Sequence, residues 1–354
     1  MFKHLVSAVF LSLLLLRCLD VRAGQIDNLY QADVEAASDK STWQQQALSQ
    51  VLVRVSGNAS ITKSAAVQAE LKNAAGYVKQ FETVRHNNGV NRMRVLLDAG
   101  KVNQLLQSQG APIWGDLRPQ TLVWLVQQSA GSRHFVRQPE NKLNLAMQQA
   151  FNYYGLPFLL PLYDIDDLLS LTETDVWAGF WQPIIQASNR YAADVVVVAA
   201  LTSEPQDDAV NYRLTWQMQQ DNRTYRTEVN AESETEIMQQ FAMTLAEQLS
   251  QRYASAPSAQ GEITLLLDIQ QLRSLADIVQ VQRALAQVVG VSQVTVKRYQ
   301  QETAQFAVQT NISAEGLINA LRFNKQLLAI PADSERPLSG DSSPVLATYR
   351  YRRP

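Results

Sequence analysis

Cysteine is nearly absent from this chain of 354 residues: Cys18 is the only one. It lies in an N-terminal stretch that reads as a removable signal. The chain beyond that stretch therefore forms no disulfide, carries no thiolate nucleophile and builds no cysteine-based zinc site. Histidine is almost as scarce, with His4, His86 and His134 as the full set. His86 falls in a turn-like stretch and His134 in a loop-like one, which is thin equipment for acid–base chemistry. Glycine numbers 14, and neither G-x-G-x-x-G nor G-x-x-x-x-G-K occurs. Without a glycine-rich cradle for phosphates, no nucleotide and no cofactor is expected. The net charge is −2 with no basic stripe, so nucleic acid is not an expected partner.

A hydrophobic content of 46% and a charged content of 18% describe a folded globular chain. The first residues have an address of their own. Lys3 and His4 precede an apolar run over 5–16, and Val21, Arg22 and Ala23 offer a cleavage site before Gly24. The run is shorter than the roughly 20 residues a membrane span needs. The expectation is a signal peptide over 1–23, cut between Ala23 and Gly24, with a periplasmic mature protein and no membrane span after cleavage. An uncleaved anchor and a lipid-modified Cys18 are the alternatives.

The rest divides into three modules. Residues 24–112 read as a small α+β domain in the order β-α-α-β-β-α. Its seed is the helix over 41–58, where Ala47, Leu48, Val51, Leu52 and Val55 form one apolar stripe and Gly57 provides the stop. Ser41 and Gln44 stand in capping-box spacing at its start. Residues 113–254 read as a middle α/β domain. It has a strand at 121–127, a helix at 141–154, broken helix over 164–192, an apolar strand at 191–201, a hairpin and a long helix at 234–253. Residues 254–260, ASAPSAQ, read as a linker. Residues 261–354 read as β-α-β-β-α-β, a ferredoxin-like order, with 345–352 as an added edge strand. The fold class expected is α+β, built of three small α/β modules.

Three segments carry a resemblance: VLVRVSGN at 51–58, Tyr77 with Val78, and APIWGDLRPQTLVWL at 111–125. Over roughly 25–255 the chain resembles the domain-of-unknown-function 2066 family of proteobacterial exported proteins. The resemblance implies an envelope location and brings no reaction and no catalytic residues. With ADVVVVAAL at 193–201, the hairpin at Trp216 and the long closing helix at 234–253, the middle module also resembles the N-terminal domain of the translocation protein TolB in architecture.

Chemistry is sought first among carboxylates. Asp164, Asp166, Asp167 and Asp175 cluster in the broken helical region. Paired acids there suit a glycan hydrolase; acids at helix starts also simply oppose the helix dipole. Trp177 and Trp181 stand four apart, as a stacking platform or as core. The connector at Trp114 and Arg118 combines two residue types favoured at binding hot spots. No residue is singled out as catalytic or as a metal ligand. The expectation is a non-enzymatic envelope protein that binds a protein partner or assists assembly, with an envelope glycan hydrolase using the 164–175 acids as the alternative.

Overall fold

The computed structural model describes residues 24, 26–36, 39–85, 91–129, 131–137, 141–206, 209–331 and 345–353. The signal reading over 1–23 and the turn at His86 lie outside the described residues. The chain is an α+β protein with three sheets, each backing its own apolar core.

The first module pairs β1 (Gln31–Glu35), β2 (Val78–Arg85) and β3 (Asn91–Leu97) in the antiparallel order β1-β3-β2. Helix α1 (Lys40–Ser56) lays Leu48, Val51, Leu52 and Val55 on this sheet, all fully buried. The helix begins one residue before Ser41. Asp39 is its cap, and its carboxylate accepts the Ser41 N–H and the Thr42 hydroxyl. An aspartate just outside the first turn reaches those orphan donors and also meets the positive end of the dipole, so it displaces the serine box expected from spacing. Gly57 ends the helix at φ 66, its N–H returning to Val53 O at 2.8 Å. A Cβ there would stand 2.3 Å from Ser250 Cβ, so glycine lets the first module touch the middle one. Helices α2 (Ala65–Leu71) and α3 (Ala99–Ser108) complete this core.

The middle module is built on β4 (Thr121–Ser129), β5 (Ser132–Phe135), β6 (Phe158–Leu159), β7 (Val195–Gln206), β8 (Ala209–Gln220) and β9 (Arg223–Ala231). The order is β5-β4-β7-β8-β9, with β6 beside β4. β7 runs parallel to β4, and its apolar run is covered on both faces. Val197, Ala199 and Leu201 pack under α4 (Lys142–Tyr154) and α8 (Glu234–Tyr253). Val198 packs with Trp124 under α5 (Ile165–Ser170), α6 (Glu173–Ala178) and α7 (Trp181–Ser188).

The last module follows the expected order: β10 (Ile263–Gln270), α9 (Leu275–Ala286), β11 (Val291–Gln300), β12 (Thr303–Thr310), α10 (Ala314–Leu321) and β13 (Leu327–Ile330). Its final strand, β14 (Ala347–Tyr351), corrects one expectation. β14 does not lie at the edge; it inserts between β10 and β13, giving β11-β12-β10-β14-β13. Tyr349 and Tyr351 go into the core at 2% and 3% exposure, which an edge position would not bury. The 254–260 stretch is also more than a tether. Ser255 exchanges backbone hydrogen bonds with Ile113 at 2.8 and 2.9 Å, and its hydroxyl donates to Gly316 O. One residue thus ties the connector at Ile113 to the last module.

Candidate functional site

The two connector residues proposed from sequence as a binding surface are buried. Trp114 is 1% exposed and Arg118 is 0% exposed. The guanidinium of Arg118 donates to five backbone carbonyls: Gly115 at 2.9 Å, Tyr154 at 3.0 Å, Gly155 at 2.8 Å, Arg54 at 2.7 Å and Trp114 at 2.9 Å. It also lies over the Trp114 ring at 4.1 Å. Every donor of its planar fork is used, and every acceptor is a carbonyl that local secondary structure leaves open. Burial, with the neighbouring Arg54 cation adding to it, pushes its pKa down to about 9, so it stays charged at neutral pH. Arg54, lowered to about 10 by burial, donates to Tyr153 O at 3.0 Å and Gln31 O at 2.6 Å. These arginines join the first module to the middle one.

Ala23 lies outside the described residues; Gly24 sits against the same joint. Its N–H donates to Gln120 Oε1 at 3.1 Å, and its carbonyl accepts the Arg118 N–H at 2.8 Å. With φ at 77 and the Arg118 carbonyl 2.3 Å from where a Cβ would stand, no larger residue fits.

The acidic cluster is also accounted for. Asp164 caps α5 and accepts the Asp167 N–H at 3.1 Å. Asp175 closes a capping box with Thr172 at α6. Arg190 donates to both oxygens of Asp164, at 2.7 and 2.8 Å, and to Asp167 Oδ1 at 3.2 Å. The other Asp167 oxygen accepts the Tyr163 N–H at 2.8 Å and the Tyr191 hydroxyl. The Tyr191 oxygen in turn accepts the Leu162 N–H at 2.9 Å. Arg190, through its hydrogen bonds, holds the Asp164 carboxyl below the usual carboxylate range. A glycosidase acid has the opposite requirement, a carboxyl raised so that it keeps its proton.

This network fixes a segment whose apolar side chains face water. Tyr163 takes φ 52, uncommon for a bulky residue, and turns its ring inward against Trp124 and Phe135, with centroids at 5.6 and 5.1 Å. Its neighbours point the other way. Leu162, Ile165 and Leu169 are 70%, 75% and 82% exposed. Ile165 and Leu169 lie four apart and share one face of α5. Asp166 stands exposed beside them, 3.9 Å from Arg190. The result is an apolar ridge with an acidic rim, locked from beneath by hydrogen bonds and by a strained backbone residue. Sequence reasoning named the acids and missed the ridge. Two apolar residues in four-residue spacing on α5 were its only local signal.

The remaining candidates are structural neighbours. His134 is exposed on β5, opposite Gln127 in the register. Trp177 and Trp181 are half-buried against the Trp124 core, and Arg133 lies over the Trp177 ring at 4.4 Å. Among the described residues no three His, Cys, Asp or Glu side chains gather as a metal site, and no helix is long and apolar enough to cross a membrane.

The model of a domain of unknown function (DUF8605) matches residues 23–115. Its span coincides with the first module and ends at the Trp114 joint. It is a different domain of unknown function from the one resembled in sequence. No curated protein and no solved structure matches the chain.

Proposed function

We propose that this chain is an exported, non-enzymatic protein of the bacterial periplasm that binds a partner protein through the ridge of Leu162, Ile165 and Leu169. Export rests on the signal-like residues before Gly24 and on the resemblance to the 2066 family of exported proteins. The observation that carries the binding role is the exposure of three large aliphatic side chains on a segment held rigid by Arg190 and Tyr191. A preorganised apolar surface loses little conformational freedom on association. Its acidic rim favours a partner that is apolar at the centre and basic at the edge.

The test is co-purification from the periplasm with Ile165→Asp and Leu169→Asp combined. The expected result is loss of a specific envelope partner while the melting temperature is unchanged, since both side chains already face water. The alternative, an envelope glycan hydrolase, would show as peptidoglycan turnover that disappears in Asp164→Asn but survives the ridge variant.

A further inference from the structure

We infer that the groove along the outer edge of β1 receives an extended peptide segment of a partner protein, which adds a strand to the first sheet. The groove has a volume of about 430 Å³ and is lined by Asp33, Glu35, Gln50, Leu71, Arg92 and Tyr153, among others. It shares no residue with the ridge.

The edge is open for a definable reason. β1 is the terminal strand of the order β1-β3-β2. Leu97 N–H donates to Tyr30 O and Ala36 N–H to Asn91 O, so the even-numbered residues of this strand bond to β3. Antiparallel alternation then turns the backbone groups of Asp33 and Glu35 outward, toward the groove. Two outward carbonyls are taken. Gln31 O accepts from Arg54 and Asp33 O from Arg92 Nη2, each at 2.6 Å. Arg54 belongs to the buried joint, whereas Arg92 is half-buried and makes no ion pair among the described residues. An incoming strand replaces the Arg92 contact with its own N–H and meets the N–H groups of Asp33 and Glu35 with its carbonyls.

Gln50 is the second, independent observation. It is 7% exposed, lines the groove, and its amide has no hydrogen-bond partner among the described residues. Its amide atoms stay open to the groove, and their N–H donors and carbonyl acceptor can answer the C=O and N–H of a peptide unit. Leu71 and Tyr153 supply apolar wall for the alternate side chains of an added strand. Glu35 has no ion pair among the described residues and stands at the groove's margin, which favours a basic residue in the incoming segment. An extended segment uses all of these features together.

The test uses the full chain and a displayed library of random peptides, panned on the wild type and counter-selected on Asp33→Pro. Proline at 33 removes the outward N–H and leaves the β1–β3 ladder intact, because position 33 does not bond to β3. Asp33→Ala is the control for the lost carboxylate. Enriched peptides are expected to carry a basic residue and to bind Asp33→Pro and Gln50→Leu at least about tenfold more weakly than wild type, while Asp33→Ala stays within about twofold. Should Asp33→Pro fail to fold, Glu35→Pro removes the neighbouring outward donor and serves in its place. Three results overturn the proposal: no enrichment over the proline variant, equal binding to wild type and proline variant, or a dimer of the chain that dissociates in the proline variant. The last would assign the edge to a second copy.

Discussion

Arg118 and Arg190 do similar work in opposite surroundings. Each guanidinium gathers chain segments distant in sequence. Arg118 does so in the interior, handing its donors to five main-chain carbonyls from both sides of a module boundary. Arg190 does so at the surface, with its donors on Asp164 and Asp167. The difference lies in what each leaves outside. The Arg118 joint encloses its own guanidinium and the Trp114 ring. The Arg190 brace holds a short helix so that its aliphatic residues stay in water. A buried polar group bonded on all sides stabilises the fold; a braced apolar surface is available for recognition.

The comparison breaks most readily at Arg118. Arg118→Ala leaves three buried and two half-buried carbonyls without that donor, and a loss of at least about 4 kcal/mol is expected. Denaturant unfolding should show the first and middle modules separating or the chain failing to fold. Charge reversal at this position is expected to act through folding, not through a lost surface contact.

Arg190→Ala sharpens the contrast. The bidentate pair with Asp164 is solvent-screened, and the buried Asp167 keeps the Tyr163 N–H and the Tyr191 hydroxyl as donors when it loses Arg190, so the stability change is expected to be real but smaller than that of Arg118→Ala. Amide exchange over 162–169 should nonetheless accelerate, and partner binding should weaken about tenfold as the ridge loses its preorganisation. A large unfolding effect with unchanged exchange in that segment would contradict the assignment of Arg190 as a brace.

The smallest effect is expected at the far end of the chain, where Arg353 donates to both oxygens of Asp277 at 2.7 and 3.0 Å. That pairing, helped by Ser274, lowers the Asp277 pKa to about 2. A carboxyl whose folded pKa is depressed contributes stability above its ordinary unfolded value near 4, and loses it as the pH falls toward 2. Arg353→Ala should therefore melt a little below the wild type at neutral pH. The gap should close on acidification through that window.

Much of this was legible where local rules decide. The α1 stripe, the doubly buried β7, the long α8 and the β-α-β-β-α-β order of the last module follow from periodicity and turn residues. The acids at 164 and 175 were readable as helix starts; Asp164 caps α5 and Asp175 closes the capping box of α6. The features that escaped are set by long-range partners. Nothing beside Arg118 announces that carbonyls from residues 54, 154 and 155 converge on it, so its neighbour Trp114 made it look like a surface anchor. The insertion of β14 depends on which strand pairs with β10, and strand pairing across some eighty residues leaves no mark in either segment. Asp39 outcompeted Ser41 as a cap because a carboxylate reaches the same donors with a charge. The groove escaped because its edge strand reads as ordinary alternation, and its one odd residue, Gln50, is odd only in three dimensions.

The most direct measurement is in-cell photocrosslinking from residue 169, with residue 145 on α4 as the control. Leu169 and Leu145 are both exposed, at 82% and 44%, but only Leu169 belongs to the braced ridge. The account predicts one discrete adduct with another envelope protein from position 169, diminished by Arg190→Ala, and none from position 145. Absence of an adduct at 169, or equal adducts from both positions, would contradict it.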